Sequence, residues 1–216
     1  MKNFITNSGT SHLKKRLMEL IQKSDELKFL VGFFYFSGIR ELYEGLKKNP
    51  DTRIYVLAGL SVDKTNKGIL ELAEPDNQLS DDERIYKFLQ SVKKSINTEE
   101  FDTEEFYEQV KFFISLIKED KLRIRKTYNP NHAKIYIFKL EEEQVGRKNL
   151  FITGSSNLTK AGLTTQEEFN VEISDYGVED AESYFDSLWD EAVKITEDDT
   201  VKKKLIDVVE KETLIK

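Results

Sequence analysis

The stretch NHAKIYIF, residues 131–138, places a histidine two residues before a lysine at the start of an apolar run. Side chains alternate across a β-strand, so a strand here would project His132 and Lys134 from the same face. Twenty residues after Lys134, the turn GSSN at 154–157 follows the apolar run NLFIT, and Ser155 and Asn157 again share one parity. We therefore expect two strand ends to converge and to bring these polar side chains together.

The composition predicts one folded domain that spans residues 1–216, because 38% of the side chains are hydrophobic and only three are proline. No cysteine is present, which excludes disulfides, thiolate catalysis and cysteine-ligated zinc and fits a cytoplasmic location. The N-terminus lacks the apolar core of a signal peptide, and the longest apolar run is too short to span a bilayer. We expect no contact with a membrane.

The net charge of −7 is unevenly distributed along the chain. Residues 121–171 carry nine basic and five acidic side chains, whereas residues 62–120 carry eight basic and fifteen acidic ones. The segment that contains both polar motifs is therefore positive, and the total charge does not argue against a nucleic-acid partner.

Apolar spacing predicts an α/β fold in which helices flank a mixed β-sheet on both faces. An acidic segment, residues 64–120, predicts two or three helices inserted into this unit, and the C-terminal helices are expected to cover a sheet edge. Further helices are predicted in 11–29, capped by Ser11, and in 39–48, 181–195 and 201–216. Strands are predicted in 28–39, 52–60, 121–128, 132–140, 149–157 and 168–174, with a hairpin turn at 141–149.

HAK at 132–134, GSSN at 154–157 and Glu168 resemble, in that order, the motifs of the phospholipase D superfamily, which are HxK, GSxN and a later Glu or Gln. The chain also resembles the phospholipase D-like module at the N-terminus of bacterial Swi2/Snf2-type helicases, and metal-independent restriction endonucleases with the same core. The resemblance covers nearly the whole chain, and it implies that the sequence can be the N-terminal part of a longer helicase-type protein. Only the short motifs are specific.

The resemblance implies a role for each residue in the cleavage of a phosphodiester. His132 would be the nucleophile that forms a phosphohistidine, and Lys134 and Asn157 would neutralise charge on the phosphate oxygens. Ser155 would donate a further hydrogen bond to the phosphate or orient Lys134, and Glu168 would hold the imidazole tautomer. The adjacent Glu167 leaves the register of this carboxylate open by one residue.

The family mechanism uses two histidines, one that attacks and one that protonates the leaving oxygen. The other histidine, His12, is assigned to an exposed helix start, so a second His132 must come from another copy of the chain. This predicts a homodimer with a shared site. No metal or other cofactor is expected. The family motif also has an aspartate where this chain has Lys139, which we expect to redirect substrate choice more than to abolish the chemistry.

Three functions remain open from the sequence. The first is a metal-independent phosphodiesterase that acts on nucleic acid, namely a DNA endonuclease module, with basic side chains that contact the phosphates. The second is a DNA-binding and dimerisation module with little cleavage of its own, which Lys139 motivates. The third is a lipid phosphodiesterase, which the missing signal peptide and second motif disfavour. The candidate substrate-binding residues are Arg123, Arg125, Lys126 and Lys160.

Overall fold

The computed structural model describes residues 4–8, 12–60, 64–65, 68–69, 79–96, 103–140, 149–174 and 176–214. Within these ranges the chain forms one eight-stranded sheet and a separate ribbon of two short strands. The strands are β1 Phe4–Thr6, β2 Ser24–Val31, β3 Arg53–Ala58, β4 Lys64–Thr65, β5 Gly68–Ile69, β6 Leu122–Lys126, β7 Ile135–Leu140, β8 Asn149–Gly154, β9 Phe169–Ile173 and β10 Val193–Lys194.

The large sheet is mixed, with the strand order β1-β9-β8-β7-β2-β3-β6-β10. Strands β2, β3 and β6 run parallel to one another, and every other neighbouring pair is antiparallel. The parallel strands need long crossovers, which the helical segments between them supply. The antiparallel pairing of β7 with β8 agrees with the predicted hairpin, whose turn residues 141–148 lie outside the described ranges.

Helices cover both faces of the sheet, as the sequence predicted. The helices are α1 Leu13–Ile21, α2 Phe36–Arg40, α3 Tyr43–Lys48, α4 Asp81–Ile96, α5 Glu104–Lys118, α6 Lys160–Thr164, α7 Val178–Glu191 and α8 Asp199–Thr213. The larger apolar cluster includes residues of α1, α3, α4, α5 and α8 on one face. A smaller cluster joins α7 to residues such as Leu30, Leu57 and Ile137 on the other face.

The predicted insertion is present as α4 and α5, whose buried faces pack into the larger cluster. Helix α5 begins after Thr103, whose hydroxyl accepts a hydrogen bond from the backbone of Phe106. The C-terminal helices do not cover a sheet edge: α7 lies on a face of the sheet, and α8 packs against α4 and α5. Each described helix is too short or too polar to cross a lipid bilayer.

The first predicted helix is shorter than its sequence pattern indicated. It ends at Ile21, and Ser24 begins β2, which pairs with β3 and β7 on its two sides. The side-chain amide of Asn49 donates to the carbonyls of Ile21 and Ser24, at 2.9 and 2.8 Å, and so fixes the turn between helix and strand. The helical pattern of SDELKF therefore yields to partners distant in the sequence.

Strand β2 also ends earlier than predicted, at Val31, and the chain leaves the sheet before α2 begins at Phe36. The aromatic residues Phe33 and Tyr35 fall in this connection rather than in a strand. Edge strands β1 and β10, each of two or three residues, were not predicted. They form because β9 and β6 offer them free edges for antiparallel pairing.

Candidate active site

A pocket of about 700 Å³ opens at the ends of three neighbouring strands, where β2 and β8 end and β7 begins. All five predicted catalytic residues line it, together with one predicted substrate-binding residue, Lys160. The remaining lining residues are Phe33, Tyr35, Ser37, Thr159, Ala161, Thr165 and Gln166.

His132 and Lys134 lie in the loop that leads into β7, because this strand begins at Ile135, three residues later than the sequence pattern indicated. The ammonium nitrogen of Lys134 is 3.1 Å from Nδ1 of His132 and donates to its backbone carbonyl at 2.9 Å. Lys134 is only 7% exposed, whereas His132 is exposed. A buried cation therefore lies directly beside an accessible imidazole.

The loop before β7 approaches the end of β3 closely. A Cβ atom at Gly59 would lie 1.9 Å from the carbonyl oxygen of Asn131, so this position has no room for a side chain. The backbone N–H of Asn131 donates to the carbonyl of Gly59 at 3.1 Å, and its side-chain oxygen accepts from the backbone of Ala133 at 2.8 Å. The side-chain amide of Asn131 also donates to the hydroxyl of Tyr184 on α7 at 3.0 Å.

Asn157 is held in the pocket by its side-chain oxygen, which accepts a hydrogen bond from the backbone N–H of Phe33 at 3.2 Å. This orients the side-chain NH₂ as the group that Asn157 can offer to an anionic ligand. Phe33 itself lies edge-on to the His132 ring, with the ring centroids 6.3 Å apart. The loop after β2 therefore contacts both Asn157 and His132.

Ser155 and Glu168 are joined by a short hydrogen bond from the serine hydroxyl to the carboxylate. The same hydroxyl oxygen accepts from the backbone N–H of Phe169 at 3.1 Å, and the backbone of Ser155 donates to the carbonyl of Phe169 at 3.2 Å. Glu167 is exposed and does not line the pocket. The carboxylate in the site is therefore that of Glu168.

The GSSN turn is supported from beneath by buried polar groups that the sequence did not reveal. The hydroxyl of Tyr136 donates to the carbonyl of Ser156 at 2.8 Å. Burial, with a smaller contribution from the charge of Glu168, raises the pKa of Tyr136 well above its ordinary value, so the phenol stays a neutral donor. Asn170, also fully buried, exchanges hydrogen bonds with the side chain and backbone of Ser156.

Arg125 and Lys126 do not line the pocket, although the sequence proposed both as substrate-binding residues. The guanidinium of Arg125 is bonded to both carboxylate oxygens of Glu197 and lies 4.4 Å from the Trp189 ring. The ammonium of Lys126 is buried and donates to the carbonyl of Gly59 at 3.1 Å. Both side chains therefore form hydrogen bonds within the protein and do not face the pocket.

Arg123 and Lys160 differ in position. Arg123 is half-buried on β6, 5.9 Å from the ring of Tyr55, and it does not line the pocket. Lys160 is exposed at the first residue of α6 and lines the pocket. Of the four basic residues proposed from the sequence, Lys160 is the one that the fold brings to the site.

His12 and Lys14 have the same spacing as His132 and Lys134, but the structure uses them differently. His12 precedes the first residue of α1 and is partly buried, not exposed as the sequence predicted. Lys14 forms an ion pair with Glu41 at 2.5 Å. Neither residue lines the pocket. The described residues contain no cluster of three or more His, Asp or Glu side chains with the spacing of a metal site.

Lys139, which stands where the family motif has aspartate, is exposed near the far end of β7. Its strand neighbours are Glu26 and Asn149, whereas the residue that begins β7 at the pocket is Ile135. The substitution therefore changes a surface position and leaves the pocket lining as described.

Comparison with solved structures gives low sequence identity over most of the chain. Phosphatidylserine synthase from Haemophilus influenzae superposes with a TM-score of 0.51 at 14% identity, over 89% of this chain and 39% of that one, and it shares the fold. Nuc from Salmonella typhimurium, a phospholipase D family member, gives a TM-score of 0.46 at 11% identity, over 88% and 95% of the two chains. NucT from Helicobacter pylori gives 0.43 at 9% identity, over 83% and 89%.

No curated protein matches the sequence significantly. The family model described as "Cardiolipin synthase, PLD-like domain" matches residues 80–189, which is just over half of the chain. The matched range runs from the start of the insertion helices to α7 and contains HAK, GSSN and Glu168. The chain therefore belongs to the phospholipase D superfamily.

Proposed function

We propose that this protein is a metal-independent phosphodiesterase that acts on nucleic acid, as a DNA endonuclease module. The observation that carries the proposal is the convergence of His132, Lys134 and Asn157 with the bonded pair Ser155 and Glu168 on one pocket. A nucleophile, a cation and neutral donors around one cavity are what the displacement at an anionic phosphorus requires.

The reaction proceeds in two displacements. A ring nitrogen of His132 attacks phosphorus, the bond from phosphorus to the leaving sugar oxygen breaks, and that oxygen takes a proton from a second imidazole. Water then attacks the phosphohistidine, the phosphorus–nitrogen bond breaks, and the second imidazole takes the proton of the water. Lys134 and the NH₂ of Asn157 stabilise the charge on the phosphate oxygens in both steps.

The second imidazole comes from another copy of the chain, because His12 lies at the start of α1 and outside the pocket. A two-fold homodimer supplies it if the two pockets face each other. Phe4 and Phe169 support this arrangement: they are 57% and 58% exposed, and their ring centroids are 5.2 Å apart. Phe169 follows Glu168 directly, so this apolar pair is continuous with the site, and we propose that a second copy covers it.

Nucleic acid is the proposed substrate because Lys160 adds a second cation to the pocket and Tyr35 adds a partly exposed aromatic ring to its lining. Phosphate contacts supply most non-specific affinity, and aromatic side chains stack on unpaired bases without sequence preference. The proposed partners are thus DNA and a second copy, with a helicase domain in a longer protein. Arg125 and Lys126 are not part of the proposed DNA-binding surface, because both side chains are buried.

The decisive experiment incubates end-labelled DNA with the protein in EDTA and quenches the reaction in denaturant to trap an adduct at His132. We expect cleavage in chelator, a labelled protein band, and loss of both in His132→Ala. The variant His12→Ala is the matched control and should cleave normally. Cleavage that requires magnesium, or that persists in His132→Ala, would contradict the proposal.

Two other results, one with DNA and one with lipid vesicles offered in its place, would identify the alternative functions. Retained DNA binding without turnover by the unsubstituted protein would indicate a binding and dimerisation module. Hydrolysis of phosphatidylcholine vesicles in preference to DNA would indicate a lipid phosphodiesterase. Lys139, which motivated the first alternative, is exposed at the end of β7 away from Ile135 and gives it no support at the pocket.

A further inference from the structure

The loop Thr127–Lys134, which carries His132, is held by a residue of the helical insertion. Arg84, on the first turn of α4, is 1% exposed although its side chain carries a permanent charge. Its Nε donates to the backbone carbonyl of Tyr128 at 3.0 Å, four residues before His132. Burial of a guanidinium destabilises the folded protein unless its donors are hydrogen-bonded. The burial of Arg84 therefore indicates that its hydrogen bonds have a structural role.

The guanidinium is fixed on three sides. Its Cζ lies 3.8 Å from the centroid of the Tyr128 ring, and one terminal nitrogen donates to the carbonyl of Leu79. The same nitrogen is 3.5 Å from the carboxylate of Asp81. Arg84 thus binds the start of α4 and the loop before β7 at the same time.

The other attachments of the loop are to the end of β3 and to α7. Asn131 is bonded to Gly59 at the end of β3 and to Tyr184 on α7, and Thr127 donates from its backbone to Ala58. Between these points, the residues Tyr128–Pro130 form no part of a strand or helix. Arg84 supplies the hydrogen bond that holds Tyr128 in this stretch.

We propose that Arg84 is a positioning residue for His132, through which the helical insertion sets the geometry of the imidazole. Its effect on turnover rests on the proposed function, but its effect on the position of the ring does not. Arginine suits this role because its planar fork donates from Nε and a terminal nitrogen in fixed directions while its face stacks on an aromatic ring. A lysine at this position has one donor centre and cannot hold both carbonyls.

The test uses the full chain and the variants Arg84→Lys and Arg84→Met. The chain has two histidines, so ¹H–¹⁵N spectra of the imidazoles contain two sets of signals, and His12→Gln identifies the His132 set. We expect both Arg84 variants to shift or broaden the His132 signals and to leave the His12 signals unchanged. We also expect kcat for DNA cleavage to fall about 10- to 100-fold with KM within about twofold, because small misplacements of a catalytic group are costly.

Arg125→Met is the matched control. Arg125 is also buried, stacks on an aromatic ring and donates to a backbone carbonyl, that of Trp189 at 2.6 Å, but it does not contact the loop. We expect this variant to lose thermal stability while the His132 signals and kcat stay unchanged. If the Arg84 variants do not fold, Tyr128→Leu removes the stacked ring from a side chain that is 43% exposed, and it should shift the His132 signals.

Unchanged His132 signals in folded Arg84→Met, or in folded Tyr128→Leu where that variant replaces it, would overturn the proposal whatever the activity. Equal perturbation by Arg125→Met would also overturn it, since that result would indicate a general loss of stability. If the unsubstituted protein cleaves no phosphodiester, the proposed function fails, and the imidazole spectra still decide whether Arg84 positions His132.

Discussion

The ammonium of Lys134 lies 3.1 Å from Nδ1 of His132, and both groups face a single pocket. Lys134 is nearly buried, so its charge acts across a short distance with little screening by water. In the proposed reaction, a cation in this position stabilises the negative charge that develops on the phosphate attacked by the imidazole.

We therefore expect Lys134→Met to lower kcat by about 10²- to 10³-fold, which is typical for the loss of one preorganised electrostatic group. Single-turnover cleavage of labelled DNA measures the effect. Lys134→Arg retains the charge with a different shape and should keep more activity than Lys134→Met. Equal losses in the two variants would show that shape, and not charge, explains the defect.

The hydrogen bond between Ser155 and Glu168 predicts that the two residues act as a unit. We expect Ser155→Ala and Glu168→Gln each to lower kcat about 10-fold and the double variant to be less than additive, with a coupling of about 1 kcal/mol. The kinetic double-mutant cycle measures this coupling. Glu167→Gln is the control, because Glu167 is exposed beside the site, and additive losses would contradict the prediction.

Lys160 is the exposed cation of the pocket wall and should contact a phosphate of the substrate. Lys160→Ala is expected to weaken DNA binding and to reduce the slope of log K against log salt by about 1. Titrations of catalytically inactive His132→Ala at several salt concentrations give this slope. Lys48→Ala removes an exposed lysine of α3 that does not line the pocket, and it should leave the slope unchanged.

The exposed pair of Phe4 and Phe169 predicts the face at which two copies meet. An aromatic anchor at an interface contributes about 2 kcal/mol, so each replacement by serine should raise the dimer dissociation constant about 30-fold. Analytical ultracentrifugation measures this constant. Tyr86→Ser removes an aromatic side chain on α4 that is 64% exposed, and it should not change the constant. A Phe4→Ser, Phe169→Ser protein that dimerises normally would place the interface elsewhere.

Glu197 gives a prediction for stability against pH. The hydrogen bond from Arg125 holds the pKa of Glu197 below its ordinary value of 4.5. The carboxylate therefore stabilises the folded protein at neutral pH, and this contribution is lost as pH falls below 4.5 through the lowered pKa. Glu197→Gln should be about 2 kcal/mol less stable at pH 7, with a smaller difference at pH 3. Urea unfolding at both pH values tests this, and an equal difference at both would contradict it.

Much of the fold follows from local patterns in the sequence. The apolar run from Ile135 to Leu140 forms β7, and the apolar periodicity of the acidic segment forms α4 and α5. The helical pattern around Ser24 was overruled by strand partners and by Asn49, which lies 25 residues away. Such a contact leaves no local signal, so the boundary between α1 and β2 was not predictable.

The candidate site was only partly predictable, again because some of its contacts join residues that are distant in the sequence. The spacing of HAK and GSSN identified residues that do line one pocket, because both motifs stand at ends of neighbouring strands. The sequence did not distinguish Lys160 from Arg125, since a basic residue near a motif carries no local signal of which other residues cover its side chain. Arg125 is covered by Trp189 and Glu197, which lie far along the chain. The supporting roles of Tyr136, Asn170 and Arg84 likewise depend on tertiary contacts.

Strand β1 pairs with β9, so Phe4–Thr6 find their partners about 165 residues further along the chain. The side chain of Asn7, just after this strand, donates to the carbonyl of Gly162 on α6 and to that of Gln166, which lines the pocket. During synthesis on the ribosome the first strand must wait until β9 has emerged, and contacts of such long sequence separation form slowly. A nascent chain therefore completes this part of the pocket only after most of the described sheet has been synthesised.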